Sequence, residues 1–340
     1  MKKKGVFIAL LYVASSLLTG CEEKGQDGTE PTTLEDTEEA DNSERYTLKH
    51  AKETKVTIAN QEFEIIPVLE PIFNYVQIIE QEPLKSKTEA YTSTVIEPFR
   101  KTVYGEENGH FLQGHLSFQP PRNVDKLKAS VQKLDENYED ILDSLKTSLK
   151  QSVHLLPLDS TTKIYVFPFN PDQLSVIDDM NGVTGFATPN TIVLNIEPEQ
   201  YTEEMLRYII AHEYHHIVHF NINPRKEQDL MGYSLMEGGA DSFAQMIYPD
   251  VIPKWNDTLT SDEWDTVWNL VLDKRYDYDR QDIEEIRNGN NELPMRSHYK
   301  LGYRIMQDFI KKNPSVSVEE WTMMMPDEIL EKTSYADKVK

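Results

Sequence analysis

Apolar and polar residues fall into a readable pattern only after Arg45, and the pattern first marks short strands at Lys55 to Ile58 and Phe63 to Val68. The period then lengthens. Between Val124 and about Leu155 the residues Leu127, Val131, Leu134, Tyr138, Ile141 and Leu145 recur at helical spacing, which predicts a helix with one apolar face. Lys163 to Phe169 is rich in β-branched and aromatic residues and reads as a strand. A strand pair follows, Val183 to Thr188 and Ile192 to Ile196, joined at Pro189-Asn190.

The remainder is helical in period. Thr202 is placed to cap a helix whose first turn carries Glu203 and Glu204, where the helix dipole favours acids. That helix should run to about Phe220, since Asn221 and Asn223-Pro224 are stop signals. Further helices are predicted for about Leu235 to Tyr248, Asp262 to Leu272, Asp282 to Asn288 and His298 to Lys312. Trp255, Trp264, Trp268 and Trp321 sit among these helices and are expected in the core. Mixed strands and helices followed by helices alone predict an α+β fold, with a small mixed sheet and a mostly helical C-terminal half.

Residues ahead of Tyr46 look different. Lys2, Lys3 and Lys4 precede an apolar run from Val6 to Leu18, too short to span a bilayer comfortably, so residues 1–20 read as a signal peptide. The next residues, Leu18-Thr19-Gly20-Cys21, resemble the lipobox of bacterial lipoproteins. That resemblance implies a lipid on Cys21 and a protein anchored at the extracytoplasmic face of the cell membrane. Cys21 is the only cysteine, so no internal disulfide is available. Residues 22–45 carry ten acids, two bases and almost no apolar side chains. Such a composition cannot bury a core, and 21–45 is expected to be an acidic tether. The domain reading is therefore 1–20 signal, 21–45 tether, 46–160 N-terminal α+β region and 161–340 catalytic region. The formal charge of −23, from 58 acids against 35 Lys plus Arg, argues against a nucleic-acid partner.

The chemistry is concentrated in the helix after Thr202. His212-Glu213-Tyr214-His215-His216 is an H-E-x-x-H motif, and residues four apart on a helix lie one above the other, so two imidazoles can meet one tetrahedral metal. With His212 as reference, Met205, Leu206, Ile209, Glu213, Ile217 and Phe220 share one broad apolar sector. Burying an unpaired Glu213 carboxylate there would cost on the order of several kcal/mol, which a water at a metal centre would offset. His215 and His219 form a second pair four apart and are rival ligands, although solvated helix-surface positions are their default reading. His110 and His115 match no ligand spacing.

Glu237 follows His216 by 21 residues, at the start of Glu237-Gly238-Gly239-Ala240-Asp241. A second helix returning antiparallel would bring Glu237 in as a third ligand. Asp241, one turn on, would accept a hydrogen bond from a ligand histidine and fix its tautomer. The glycines would let the two helices approach closely. An edge strand within 183–196 could take an extended peptide by strand addition.

His212-Glu213-x-x-His216 followed by Glu237-x-x-x-Asp241 resembles the zinc peptidases of the thermolysin-like, Glu-zincin group. Within that group, residues 183–303 resemble a bacterial family of predicted zinc-dependent proteases of unknown function. The shared features are Gly185-Phe186, His212 to His216, Glu237 to Ala240 and Tyr299-Lys300-Leu301-Gly302-Tyr303, in this order. The resemblance covers a third to a half of the chain. It implies a zincin-like fold, one catalytic zinc ion on His212, His216 and Glu237, Glu213 as general base, and a peptide or protein substrate. Tyr299 or His298, in the late segment, is the candidate for stabilising the oxyanion. The rival reading is a membrane-anchored binding or chaperone-like module that holds zinc without turnover.

Overall fold

β1 (Thr54–Ile58), β2 (Gln61–Pro67), β3 (Thr161–Pro168), β4 (Val183–Thr188) and β5 (Thr191–Ile196) form one mixed sheet, in the spatial order β1, β2, β3, β5, β4. The three central strands are parallel, and β1 and β4 close the edges antiparallel. The structure is a computed structural model that describes residues 47–106, 115–222, 229–276 and 278–338. The expected signal peptide, Cys21, the tether, His110 and the Asn223-Pro224 stop lie outside the described residues. Among the described residues no helix is long and apolar enough to cross a membrane. The sheet takes strands from both the 46–160 and the 161–340 regions, so the two share one core.

Both faces of the sheet are covered, which is why β3 and β5 read as nearly continuous apolar runs rather than as alternation. Ile65, Ile164 and Ile192 stand side by side in the register and are fully buried. Tyr165 and Phe167 point the other way and meet the ring of Phe99 edge-on at 5.0 and 5.2 Å.

α1 (Leu69–Gln81), α2 (Lys87–Tyr91), α3 (Glu97–Tyr104), α4 (Val124–Glu136) and α5 (Tyr138–Leu155) lie between β2 and β3. α1 escapes the sequence pattern because its apolar residues continue straight from those of β2. The long helix expected over Val124 to Leu155 is broken in two at Asn137, which has φ −90° and ψ 5° and serves as the end of α4 and the cap of α5. Asparagine competes with the helical backbone for hydrogen bonds and favours such boundaries.

α6 (Leu174–Asp179) leads to β4, and the β4–β5 turn carries Asn190 at φ 61°. The C-terminal half holds α7 (Glu203–Ile222), α8 (Leu230–Ile247), α9 (Ser261–Asp273), α10 (Arg280–Asn288), α11 (Ser297–Lys312), α12 (Val318–Met323) and α13 (Pro326–Glu331). α8 begins five residues earlier than expected, because Asp229 caps it, accepting from Gly232 N at 2.6 Å. Glu237 is therefore well inside α8, where the dipole at a helix start no longer accounts for it.

The glycine run of α8 also serves a different contact from the expected one. A Cβ on Gly238 would overlap the backbone of Gly302 in α11, and a Cβ on Gly302 would overlap the Ser234 carbonyl. The close crossing is thus between α8 and α11. Gly239 faces α7, where its Cβ would meet His215 Cε1 at 3.3 Å. All four tryptophans are buried, as expected.

Candidate metal centre

α7 begins where the sequence placed it, with Thr202 Oγ1 accepting from Met205 N at 3.2 Å. It then runs through the interior. One side packs on the sheet, where Tyr214 reaches Phe63 at 6.3 Å between ring centroids and donates to Gln61 Oε1 and the Leu156 carbonyl at 2.8 Å each. Another side faces α8. The expected solvation of His215 and His219 is therefore wrong. Both are buried, and His215 stacks on Trp321 at 5.2 Å with its Nε2 at 3.2 Å from Thr322 Oγ1. α12 covers them, and a single helix's pattern cannot report a cover supplied from more than a hundred residues away.

His212, His216 and Glu237 converge. His212 Nε2 and His216 Nε2 are 3.0 Å apart, and Glu237 Oε2 lies 3.4 and 3.3 Å from them. All three side chains are buried. Glu237 Oε2 has no hydrogen-bond partner despite its burial, and neither does Glu213 Oε2. Orphaned buried carboxylate oxygens are costly and call for a cation or a water. Zinc bonded at 2.0–2.2 Å to tetrahedral N and O ligands needs those atoms about 3.3–3.5 Å apart. The two sides that meet Glu237 match that spacing and the His212–His216 side, at 3.0 Å, is about 0.3 Å shorter, so the donor set suits zinc with a small opening of the two rings.

Asp241 organises the centre from behind. It is fully buried, and its Oδ1 lies 3.0 Å from His212 Nδ1 and 3.1 Å from the donating Tyr208 hydroxyl. Trp255 Nε1 donates toward both carboxylate oxygens at 3.3 Å. With Nδ1–H committed to Asp241, the neutral His212 ring presents the Nε2 lone pair to the centre. Sequence reasoning found Asp241 but missed Tyr208 and Trp255; Tyr208, one turn before His212, carried a spacing signal.

Burial alone would lower the pKa of His212, but Asp241, then Glu237 and Glu213, outweigh it and hold the pKa well above its usual value. Burial pushes Glu213 up, against the pull of His212 and His216. For Glu237 burial acts upward, and the two histidines overcome it and hold the carboxyl well below the usual range. Glu213 presses against the edge strand: a Cβ on Gly185 would lie 2.7 Å from its Oε1.

Tyr299 and His298 open α11 beside the centre. The Tyr299 ring lies parallel to His212 at 6.2 Å. Burial, then Glu237 and Tyr233, raise its pKa well above the usual tyrosine value, so it keeps its O–H. His298 is fully buried, with Nδ1 3.1 Å from the Ile286 carbonyl and Nε2 without a partner. Donation from Nδ1 leaves Nε2 a lone pair, so neutral His298 has no proton to offer an oxyanion.

No curated protein and no solved structure matches the chain. One family model, described as "Predicted Zn-dependent protease (DUF2268)", matches residues 141–331. That span exceeds half of the chain and holds both helices that carry the His-His-Glu cluster. The chain belongs to this family of predicted zinc-dependent proteases.

Proposed function

We propose that the chain is a zinc-dependent metallopeptidase of the Glu-zincin type, with a zincin-like catalytic region, lipid-anchored through Cys21 at the extracytoplasmic face of the cell membrane. The observation that carries this reading is the buried triangle of His212 Nε2, His216 Nε2 and Glu237 Oε2 with the orphaned carboxylate of Glu213 beside it. These three residues would hold the metal, and three protein ligands suit a catalytic rather than a closed four-ligand structural site. When bound, zinc supplies polarisation of the scissile carbonyl and lowers the pKa of a water toward about 7.

The chain's own residues have separate tasks. Glu213 accepts a proton as the water oxygen bonds to the carbonyl carbon, then delivers it to the amine nitrogen as the C–N bond breaks. Tyr299, rather than His298, donates to the oxyanion. Asp241 holds the His212 ring in its tautomer. An extended peptide pairs with the outer edge of β4, and Gly185, lacking a side chain, leaves room for Glu213 at that edge.

The test combines metal content and turnover. Purified wild type should carry zinc at one equivalent by mass spectrometry, and Glu237→Ala should lose most of it. A peptide-library digest should show cleavage that a chelator abolishes. Glu213→Gln should keep its zinc and lose turnover. Wild type that neither carries nor takes up stoichiometric zinc would overturn the reading.

A further inference from the structure

Two arginines stand on the Tyr299 side of the centre. Arg287, in α10, donates from Nη2 to the Tyr233 hydroxyl at 2.9 Å, and Tyr233 is one turn before Glu237 in α8. The Tyr233 ring stacks on His298 at 4.8 Å, and His298 meets Tyr299 at 4.6 Å. Arg296, immediately before α11, places its guanidinium 5.7 Å from the centroid of Tyr299. Since Tyr299 itself is 6.2 Å from His212, the two separations put Arg296 within about 12 Å of that ring. Among the described residues neither Arg287 nor Arg296 forms an ion pair with a carboxylate. Guanidinium groups drawn into a protein are ordinarily paired.

Arg287 is also within electrostatic reach of the centre. Its charge acts on Glu237 and on His115, where burial is the larger influence in lowering the His115 pKa and Arg287 adds to it. The His115 ring lies 4.4 Å from Phe186, next to Gly185 in the edge strand. Arg287 is therefore within electrostatic reach of His115, which packs on the strand edge that an extended peptide would pair with. Tyr233 occupies one of its five N–H donors, so a fork remains for a planar anion. The amino end of α11 adds positive potential at the same place.

We propose that Arg287 and Arg296 form a carboxylate subsite, so that the preferred substrate carries an acidic group close to the scissile bond. This rests on the peptidase reading. An extended chain advances about 3.4 Å per residue, so a reach of about 12 Å places the acid within about three residues of the cut. Its source is either a Glu or Asp side chain or the peptide's own C-terminal carboxylate. The competing role, in which Arg287 only braces Tyr233, predicts no discrimination between acidic and neutral peptides.

The test uses zinc-loaded enzyme and matched fluorogenic peptides. One arm exchanges Glu for Gln at each of the three positions on either side of the cut. The other compares a free C-terminal acid with its carboxamide, which separates the two sources. Wild type is expected to favour the carboxylate member at least tenfold in kcat/KM, chiefly through KM. Arg287→Gln and Arg296→Gln should each bring that ratio toward one, and Arg296→Lys should restore part of it. Wild-type turnover with a ratio of one, or a ratio unchanged in both glutamine variants, overturns the subsite. A second arm measures anisotropy of the same labelled peptides on zinc-loaded Glu213→Gln protein. A tenfold tighter Kd for the carboxylate member supports the subsite even if wild type cleaves nothing, a result that would sink the peptidase reading alone. Equal or undetectable binding in this arm overturns the subsite.

Discussion

Gly185 of the edge strand lies directly on the side chain of Glu213: a Cβ there would stand 2.6 Å from Cγ and 2.7 Å from Oε1. Distances this short cannot be kept, and the group that can move is the end of a glutamate side chain. Gly185→Ala should therefore cost about 1 kcal/mol, the low end for overpacking, while shifting the proton acceptor. A displacement well under 1 Å at a catalytic group costs rate steeply. The expected result is a fall in kcat of at least about tenfold with unchanged zinc content and a nearly unchanged denaturation midpoint. An active Gly185→Ala enzyme would mean that Glu213 is not the base.

Three donors converge on Asp241: His212, Tyr208 and Trp255. Asp241→Asn keeps the shape but replaces one acceptor oxygen with a donor, so one of the three donors is left facing an N–H. Zinc affinity should drop about 10–100-fold, the range found when a metal ligand loses its orienting partner. Competition against a chelator of known affinity reads this directly. An unchanged zinc affinity would reduce Asp241 to a structural acid.

What the sequence showed of this site was what one helix can show about itself. His212, Glu213 and His216 are legible because four-residue spacing is a local property, and Glu237 and Asp241 share that spacing on α8. His215 and His219 have the same spacing, and their own helix points them to solvent, because α12 supplies their cover. Most of α7 is buried, so a one-face reading of its apolar positions was bound to misplace some residues. The contact of Gly185 with Glu213, the α8–α11 crossing at Gly238 and Gly302, and the approach of Arg287 to the centre join segments far apart in the chain. Periodicity carries no trace of them. An isolated glycine within the β4 pattern was the one hint, since such a residue marks close approach of another group.

Tyr299→Phe removes the hydroxyl and keeps the ring that lies parallel to His212 at 6.2 Å. If that hydroxyl donates to the oxyanion, kcat should fall about 10²–10³-fold, the usual effect of deleting one such donor. Zinc content and KM should hold. Loss shared equally between kcat and stability would instead point to a packing role.

His298 gives the fold an acid sensitivity with a definite sign. Burial, opposed by Glu237 and reinforced by Arg287, lowers its pKa to about 3; the Ile286 carbonyl bond is a smaller upward influence and Arg296 a smaller downward one. The unfolded chain takes up this proton near the ordinary histidine value of about 6.5, and the folded chain does not until about pH 3. Stability from this group is therefore complete above about pH 6.5 and is lost as pH falls toward 3. Between pH 6.5 and 4 wild type should lose about 3 kcal/mol more than His298→Gln, at 1.36 kcal/mol per pH unit. Urea titrations of both proteins across that interval measure the difference, and parallel curves would show that His298 is protonated inside the fold.

Gly302 tests whether the α8–α11 crossing sets the site's geometry. A Cβ there overlaps the Ser234 carbonyl, and backbone, unlike the end of a side chain, cannot step aside. Gly302→Ala must push α11 away from α8, which carries Glu237. Overpacking of this kind costs about 1–3 kcal/mol, and a rigid helix contact belongs at the upper end. Tyr299 lies one turn before Gly302 in α11, so the same displacement should lift its ring from His212. The variant should lose both midpoint stability and kcat, whereas Gly239→Ala should be milder, because its Cβ meets side chains rather than backbone, His215 Cε1 at 3.3 Å and Trp321 Cζ3 at 3.5 Å. If Gly302→Ala were destabilised but kept full kcat, the crossing would support the fold without positioning Tyr299.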